Sequence, residues 1–281
     1  LSAARAHVLA GREVADAVAE RLRSEVAALA YTPRLVFVRV GEDPASVYYV
    51  RSKQRFAEKV GVDAETLVLP EDIDQATLMR TIEGLNADPD TDAILVQLPL
   101  PRHLDSMPVL EAIDPAKDVD GFHPMNVGRL WSGGTALAPC TPLGLLAILD
   151  HYQLDLRGAH VVIVGRSNLV GKPAAALFLA RHATVTLAHS RTRDLAKVVR
   201  EGDVVVAAVG VARLVTREMV KPGAIVLDVG MTRIDDRIVG DVDEGVWEVA
   251  GHMTPMPGGT GLVTVAMVLQ NTLLAARQRR G

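Results

Sequence analysis

Short β-branched runs alternate with stretches of helical period along most of this chain. From Gly11 to Leu29, apolar residues fall at Val14, Ala15, Val18, Leu22, Val26 and Leu29, the spacing of one helix face. Pro33 opens Arg34–Val40, a compact run stopped by Gly41 that reads as a strand. A helix from about Pro44 to Val60, a strand at Glu65–Leu69, a helix at Gln75–Leu85 and a strand at Asp92–Leu98 follow. Asp114–Pro142 is rich in Pro, Gly and Asp and reads as loop and domain boundary. A second series begins with a helix from Thr141-Pro142 to about His151. The apolar strand His160–Val164 ends in Gly165, and Thr184–Ala188, Val204–Val209 and Ala224–Val229 read as three more strands.

Such alternation implies right-handed βαβ units and parallel sheets, so the expected fold class is α/β with two domains. The last helix, about Val263–Arg279, is apolar nearly all round its first half, which predicts burial. It follows the second sheet and can pack back onto the first domain. The expected division is therefore 1–139 plus 263–281 for the first domain and 140–262 for a Rossmann-type domain, with a cleft between them.

Composition excludes several classes of partner. At 281 residues the chain is long enough for two cores. Its net charge of −4, with both signs interspersed, argues against a nucleic-acid groove or a polybasic membrane patch. Leu1–Val8 has no apolar core of signal-peptide length, and no run approaches a membrane span. Cys140 is the single cysteine, so no intramolecular disulfide forms, and a cytoplasmic setting is expected. The eight histidines show no paired ligand spacing, and no metal is expected.

Two segments carry chemistry. In Ser46–Lys53, Tyr49 and Lys53 are four residues apart and share a helix face. A lysine can exchange protons near neutrality where its surroundings disfavour charge, and a neighbouring tyrosine can orient or stack on a ring. The same octet also fits an amphipathic helix with a solvated lysine. Val164–Pro173 joins a strand to a helix, where a dinucleotide pyrophosphate sits against backbone N–H groups. Ser167 occupies the second glycine position of the usual fingerprint, and the loop is one residue longer. A structural turn without ligand fits too. The next strand runs into His189-Ser190-Arg191 with no carboxylate to receive a ribose 2′-hydroxyl. Ser190 and Arg191, with Arg166, suit a 2′-phosphate, which favours NADP over NAD. Surface arginines at a strand end remain the alternative.

Four more segments complete an ordered set: Gln97–Pro101, Pro115–Pro124 with Asn126–Leu130, Pro139–Pro142, and Pro255–Gly261. Together with Tyr49, Lys53 and the Arg166 loop, they resemble the bifunctional methylenetetrahydrofolate dehydrogenase/methenyltetrahydrofolate cyclohydrolase family over nearly the whole chain. Three places depart from the family pattern. Leu262 replaces a proline after the glycine loop, Met231-Thr232 stands for Ile-Asn, and Ala10-Gly11-Arg12 stands for Asp-Gly-Lys.

The resemblance implies oxidation of methylenetetrahydrofolate by NADP and hydrolysis of the methenyl product to 10-formyltetrahydrofolate. It implies Lys53 as the proton-transfer group, Gln97 as its uncharged partner, and Tyr49 against the folate ring. Asp120 would receive the adjacent pterin donors, with Gly258, Gly259 and Gly261 allowing close backbone approach. Gly165, Arg166, Ser167, Ser190, Arg191 and Thr141 fall to the cofactor. A homodimer through the nucleotide domain is implied as well. Cys140 reads as a small buried hydrophobe. His123 and His252 sit in Pro/Gly-rich loops and have no part in this chemistry. A short-chain dehydrogenase also uses Tyr-x-x-x-Lys, but after its nucleotide loop, whereas Tyr49 and Lys53 precede Gly165. A monofunctional dehydrogenase and a non-catalytic nucleotide sensor remain rivals.

Overall fold

The computed structural model describes residues 5–235 and 237–281; Leu1–Ala4 of the N-terminal reading lie outside them. The first elements are β1 (His7–Val8), α1 (Gly11–Ala27), β2 (Arg34–Val40), α2 (Pro44–Val60), β3 (Asp63–Leu69) and α3 (Gln75–Ala87). Next come β4 (Ala93–Val96), α4 (Ser106–Ala112), α5 (Pro124–Trp131), α6 (Cys140–His151), β5 (His160–Val164) and α7 (Gly171–Ala180). The remainder is β6 (Thr184–Ala188), α8 (Leu195–Arg200), β7 (Val204–Ala207), β8 (Ile225–Asp228), β9 (Thr232–Ile234), β10 (Arg237–Val239), β11 (His252–Met253) and α9 (Thr260–Arg280).

The chain forms two compact units, one of residues 16–140 and 265–281, the other of residues 1–15 and 141–264. In the first, a parallel sheet runs in the order β3-β2-β4. Val36, Val38 and Val40 of β2 pack with Ile94 and Val96 of β4 against Leu78 and Ile82 of α3. α9 returns to this unit as its burial pattern predicts. Arg21 of α1 bonds Gln270 at 2.6 Å and Glu25 pairs with Arg277 at 2.7 Å. Arg280 reaches Asp92, at 2.6 Å.

In the second unit, six parallel strands run β1-β11-β8-β7-β5-β6. Two of them were invisible in the sequence, because β1 and β11 have two residues each and carry no period. Their pairing ties the segment before α1 to this sheet. His7 and Val8 pair with His252 and Met253, and Ala6 joins the core of this sheet. His252 accordingly lies in β11, stacked 5.2 Å from His7, and not in a loop. The stretch expected to be loop also holds α5. His123 caps it, Nδ1 accepting from Met125 N–H at 3.0 Å, and Pro124 opens its first turn. Proline there starts a helix instead of breaking one.

Candidate functional site

Local signals fix the helix that carries Tyr49 and Lys53. The Asp43 carboxylate accepts from Ser46 N–H at 2.8 Å, Pro44 occupies the first turn, and Gly61 closes α2 at φ 83°. Ser46, Val50, Ala57 and Val60 bury the inner face, leaving Tyr49 and Lys53 half-buried beside it. Burial, with Tyr48 next to it, raises the pKa of the Tyr49 phenol and keeps it neutral. Gln97 follows β4, and its N–H extends the ladder to Val38 O at 2.9 Å. It therefore stands at the carboxyl end of the sheet, where open α/β sheets bind ligands.

Lys53 Nζ donates to Gln97 Oε1 at 3.0 Å, while Gln97 Nε2 donates to Leu98 O at 2.6 Å. The second bond holds the amide with its oxygen toward the lysine. A hydrogen bond to a charged partner is worth roughly 1.5–3 kcal/mol. Lys53 Nζ also stands 6.0 Å from the centre of the Phe37 ring.

The Asp120 loop is held from beneath by its neighbours in the motif. Lys117 is fully buried and donates to Leu85 O, Asn86 O and Asp88 O at 2.9, 2.8 and 2.7 Å, which caps α3. Asp118, also buried, accepts from His123 N–H at 2.8 Å and Asn126 Nδ2 at 3.1 Å. Gly121 adopts φ +68°, and a Cβ there would lie 2.5 Å from Ala138 C, so only glycine fits. Lys117 and Asp118 thus spend their polar groups on holding the loop backbone. Burial pushes the Asp120 carboxyl up to about 6; Lys53 opposes the rise, Asp118 adds to it, and a bond from the Cys140 side chain opposes it.

In the other unit, β5 and β6 pair in register with Val164 opposite Ala188. Arg166 and Ser190 therefore leave adjacent strand ends, each two residues past that pair. Gly165 has φ +136°, and a Cβ on it would meet Ala208 O at 2.2 Å; one on Gly171 would meet Gly165 O at 2.2 Å. The loop thus permits the close backbone packing that a phosphate turn needs. Ser167 has its own task there, since its Oγ accepts from Val170 N–H at 3.1 Å and Gly171 N–H at 3.4 Å. Arg166, Ser190 and Arg191 are exposed, and neither arginine forms an ion pair among the described residues. This donor set, with no carboxylate at the strand end, fits a dinucleotide bearing a 2′-phosphate.

The glycine loop also belongs to this unit. Gly258 is exposed at φ +103°, while Gly259 is buried. Gly11 N–H donates to Gly258 O at 3.0 Å, and a Cβ on Gly11 would stand 1.9 Å from Gly259 O. Gly261 lies in the first turn of α9 with open space around it, and Leu262 beside it is exposed. Thr141, in the first turn of α6, accepts a 3.3 Å hydrogen bond from Thr264 Oγ1. The structure thus joins Lys53, Gln97, Tyr49 and Asp120 in one unit. It groups Gly165, Arg166, Ser167, Ser190, Arg191 and Thr141 with Gly258 and Gly259 in the other.

Sequence reasoning missed three buried polar groups. Asp228 accepts from Gly230, Asp241 and Val242 N–H, and Asp241 accepts from Val209 and Gly210 N–H, organising the loops after β7 and β8. Asn271 is the third, a polar residue inside the apolar half of α9, which was the available signal. Among the described residues no group of His, Cys, Asp and Glu is placed to hold a metal ion, and no helix is long and apolar enough to cross a membrane.

Fold and site define a two-unit α/β protein with a Rossmann-like nucleotide unit and a separate lysine–amide–carboxylate centre. Residues 9–120 match the catalytic domain of tetrahydrofolate dehydrogenase/cyclohydrolase, and residues 139–280 match its NAD(P)-binding domain. The chain belongs to the tetrahydrofolate dehydrogenase/cyclohydrolase family. It is 56% identical over 275 residues to the bifunctional protein FolD of Thermus thermophilus, covering 98% of each chain. The crystal structure of the bifunctional enzyme FolD from Campylobacter jejuni superposes with TM-score 0.95 at 42% identity, covering 97% of this chain and 99% of that one. The Trypanosoma brucei enzyme, solved with NADP cofactor and inhibitor, superposes with TM-score 0.93 at 38% identity over 99% of both chains.

Proposed function

We propose that this chain oxidises 5,10-methylenetetrahydrofolate with NADP and hydrolyses the methenyl product to 10-formyltetrahydrofolate. The observation that carries the reading is the Lys53–Gln97 contact beside Asp120. A dehydrogenase alone needs alignment of two rings; the hydrolytic step needs a group that moves protons. Lys53 takes a proton from the attacking water and returns one to the ring nitrogen. Gln97 orients the amine without adding charge, since an amide oxygen accepts and does not ionise. Asp120 as carboxylate receives two adjacent pterin donors, and Tyr49 lies against the folate ring. NADP, when bound, accepts the hydride. Gly165 and Gly171 shape the phosphate turn, while Arg166, Ser190 and Arg191 receive the 2′-phosphate. Gly258 and Gly259 lend backbone to ligand binding, with Thr141 on the cofactor side.

A homodimer through the nucleotide unit belongs to this reading. Exposed Met231, Ile234 and Ile238 on and beside the β9–β10 hairpin support it. Sedimentation as a monomer at micromolar concentration would count against the dimer. The enzymatic reading is tested by following NADPH and the methenyl intermediate together by absorbance. Expected are NADPH formation from methylenetetrahydrofolate and decay of added methenyltetrahydrofolate well above its spontaneous rate. NADPH formation without accelerated decay would leave a monofunctional dehydrogenase, and neither signal a nucleotide sensor.

A further inference from the structure

The carboxyl assigned to the pterin is held by a side chain from the far end of the sequence. Asn271 of α9 is only 2% exposed. Its Nδ2 donates to Val119 O at 2.7 Å and to Ala138 O at 2.8 Å, and lies 3.6 Å from Cys140 Sγ. Both carbonyls border Asp120. Val119 precedes it, and Ala138 packs on Gly121, which follows it. One buried amide therefore ties together the two backbone segments that enclose the carboxylate. Each of those carbonyls would lose a partner in a dry interior if the amide were removed.

Cys140 belongs to the same cluster. Its Sγ donates to Val119 O at 3.2 Å, and the Cys140 side chain lies close enough to Asp120 to lower the pKa of that carboxyl. Burial pushes the thiol well above its ordinary range, so it stays protonated and acts as a donor.

We propose that Asn271 is a positioning residue for folate recognition: through Val119 and Cys140 it fixes the Asp120 carboxylate where the pterin donors meet it. The inference rests on the reading of Asp120 as the pterin carboxylate. The charged and titratable groups facing Asp120 are Lys53 from α2, Asp118 from its own loop and Cys140 from α6. Lys53 and the thiol favour the ionised form, and Asp118 disfavours it. Losing the thiol donor therefore raises the pH at which folate binding fails.

Steady-state kinetics of Asn271→Ala, Cys140→Ala, Cys140→Ser and Asp120→Asn over mildly acid to neutral pH test this. Asn271→Ala should raise KM for methylenetetrahydrofolate about tenfold, the loss of a bond supporting a charged group, and leave KM for NADP unchanged. Cys140→Ala should move the acid limb of the folate profile to higher pH, and Cys140→Ser, which restores a donor, should return it to the wild-type position. A wild-type folate KM in Asn271→Ala, or an equal rise in both KM values, would overturn the inference. So would coincident acid limbs in wild type, Cys140→Ala and Cys140→Ser, the comparison that decides if Asn271→Ala does not fold. Asp120→Asn separates the two levels. Unaltered folate KM there refutes the reading of Asp120 itself. A raised KM there, with Asn271→Ala and Cys140→Ala at wild type, refutes only the positioning role.

Discussion

Lys53 Nζ and Gln97 Oε1 meet at 3.0 Å at the carboxyl end of the β3-β2-β4 sheet, from positions 44 residues apart in sequence. An amine that exchanges protons must spend part of each cycle neutral, and an amide partner allows that where a carboxylate does not. Lys53→Met is expected to abolish hydrolysis of methenyltetrahydrofolate, a loss on the order of a hundredfold or more, with NADP binding nearly intact. Gln97→Glu should also depress hydrolysis, because a carboxylate at that position holds the ammonium charged. Normal cyclohydrolase turnover in Lys53→Met, measured by decay of methenyl absorbance, would remove the lysine from its role.

In the proposed reading, cofactor choice rests on Arg166, Ser190 and Arg191. Replacing both arginines with alanine should raise KM for NADP strongly and leave KM for NAD little changed, since only NADP carries the 2′-phosphate. A double variant that still selects NADP, or a wild-type enzyme preferring NAD, would contradict this assignment.

Asp120→Asn turns one acceptor oxygen into a donor that faces another donor. The lost charge-assisted bond and the mismatch should together cost a few kcal/mol of folate affinity, about 3. Both activities should fall together, because both need the pterin held in one place. The carboxyl of wild type is pushed up to about 6 by burial, so folate affinity should weaken as pH falls through that value. Isothermal titration of a folate analogue across this range reads both effects. An Asp120→Asn enzyme with unaltered affinity would fail the prediction.

Much of this was legible in the sequence where the determining forces are local. The limits of α2 come from Asp43, Pro44 and Gly61, all within or beside the helix, so Pro44–Val60 is read directly. The lysine–tyrosine pair and the Gly165 turn are equally local. The returning α9 followed from its apolar first half. What escaped depends on distant partners. β1 exists because His7 and Val8 find β11, 245 residues later, and two residues of strand carry no signal of their own. Asn271 bonds carbonyls 152 and 133 positions away, and nothing near it in sequence announces them. Proline misled once, at Pro124, where the cap on its N-terminal side decides between loop and helix.

Lys117 offers a prediction about stability alone. Its ammonium is fully buried and satisfies three carbonyls at the end of α3. Lys117→Met keeps the stem but strands those acceptors in a dry interior. The expected loss is about 3–5 kcal/mol, in the range for breaking a buried polar network. Chemical denaturation of the variant reads it directly, and a change below about 1 kcal/mol would show that water replaces the ammonium at little cost.

Asp228 should make stability depend on pH in the direction opposite to an exposed, ion-paired carboxylate. It is 1% exposed, and its oxygens accept from Gly230, Asp241 and Val242 N–H at 2.9, 3.0 and 3.1 Å. Burial nevertheless dominates those bonds and, with Asp241 nearby, pushes the carboxyl up to about 6. The folded state thus binds this proton more tightly than the unfolded chain does, whose value is near 3.8. The stabilisation is fully present below the unfolded value and is lost as pH rises through about 6. The shift corresponds to about 3 kcal/mol lost over that window. Asp228→Asn removes the titration. It keeps an oxygen for two of the N–H donors and puts its amide nitrogen against the third, which costs about 1–3 kcal/mol at every pH. The difference in unfolding free energy, variant minus wild type, should therefore shift toward the variant as pH rises from about 4 to 7. Taking the difference cancels the other titrating groups, Asp120 among them. A difference that stays flat across this range would mean that Asp228 ionises alike in the folded and unfolded states.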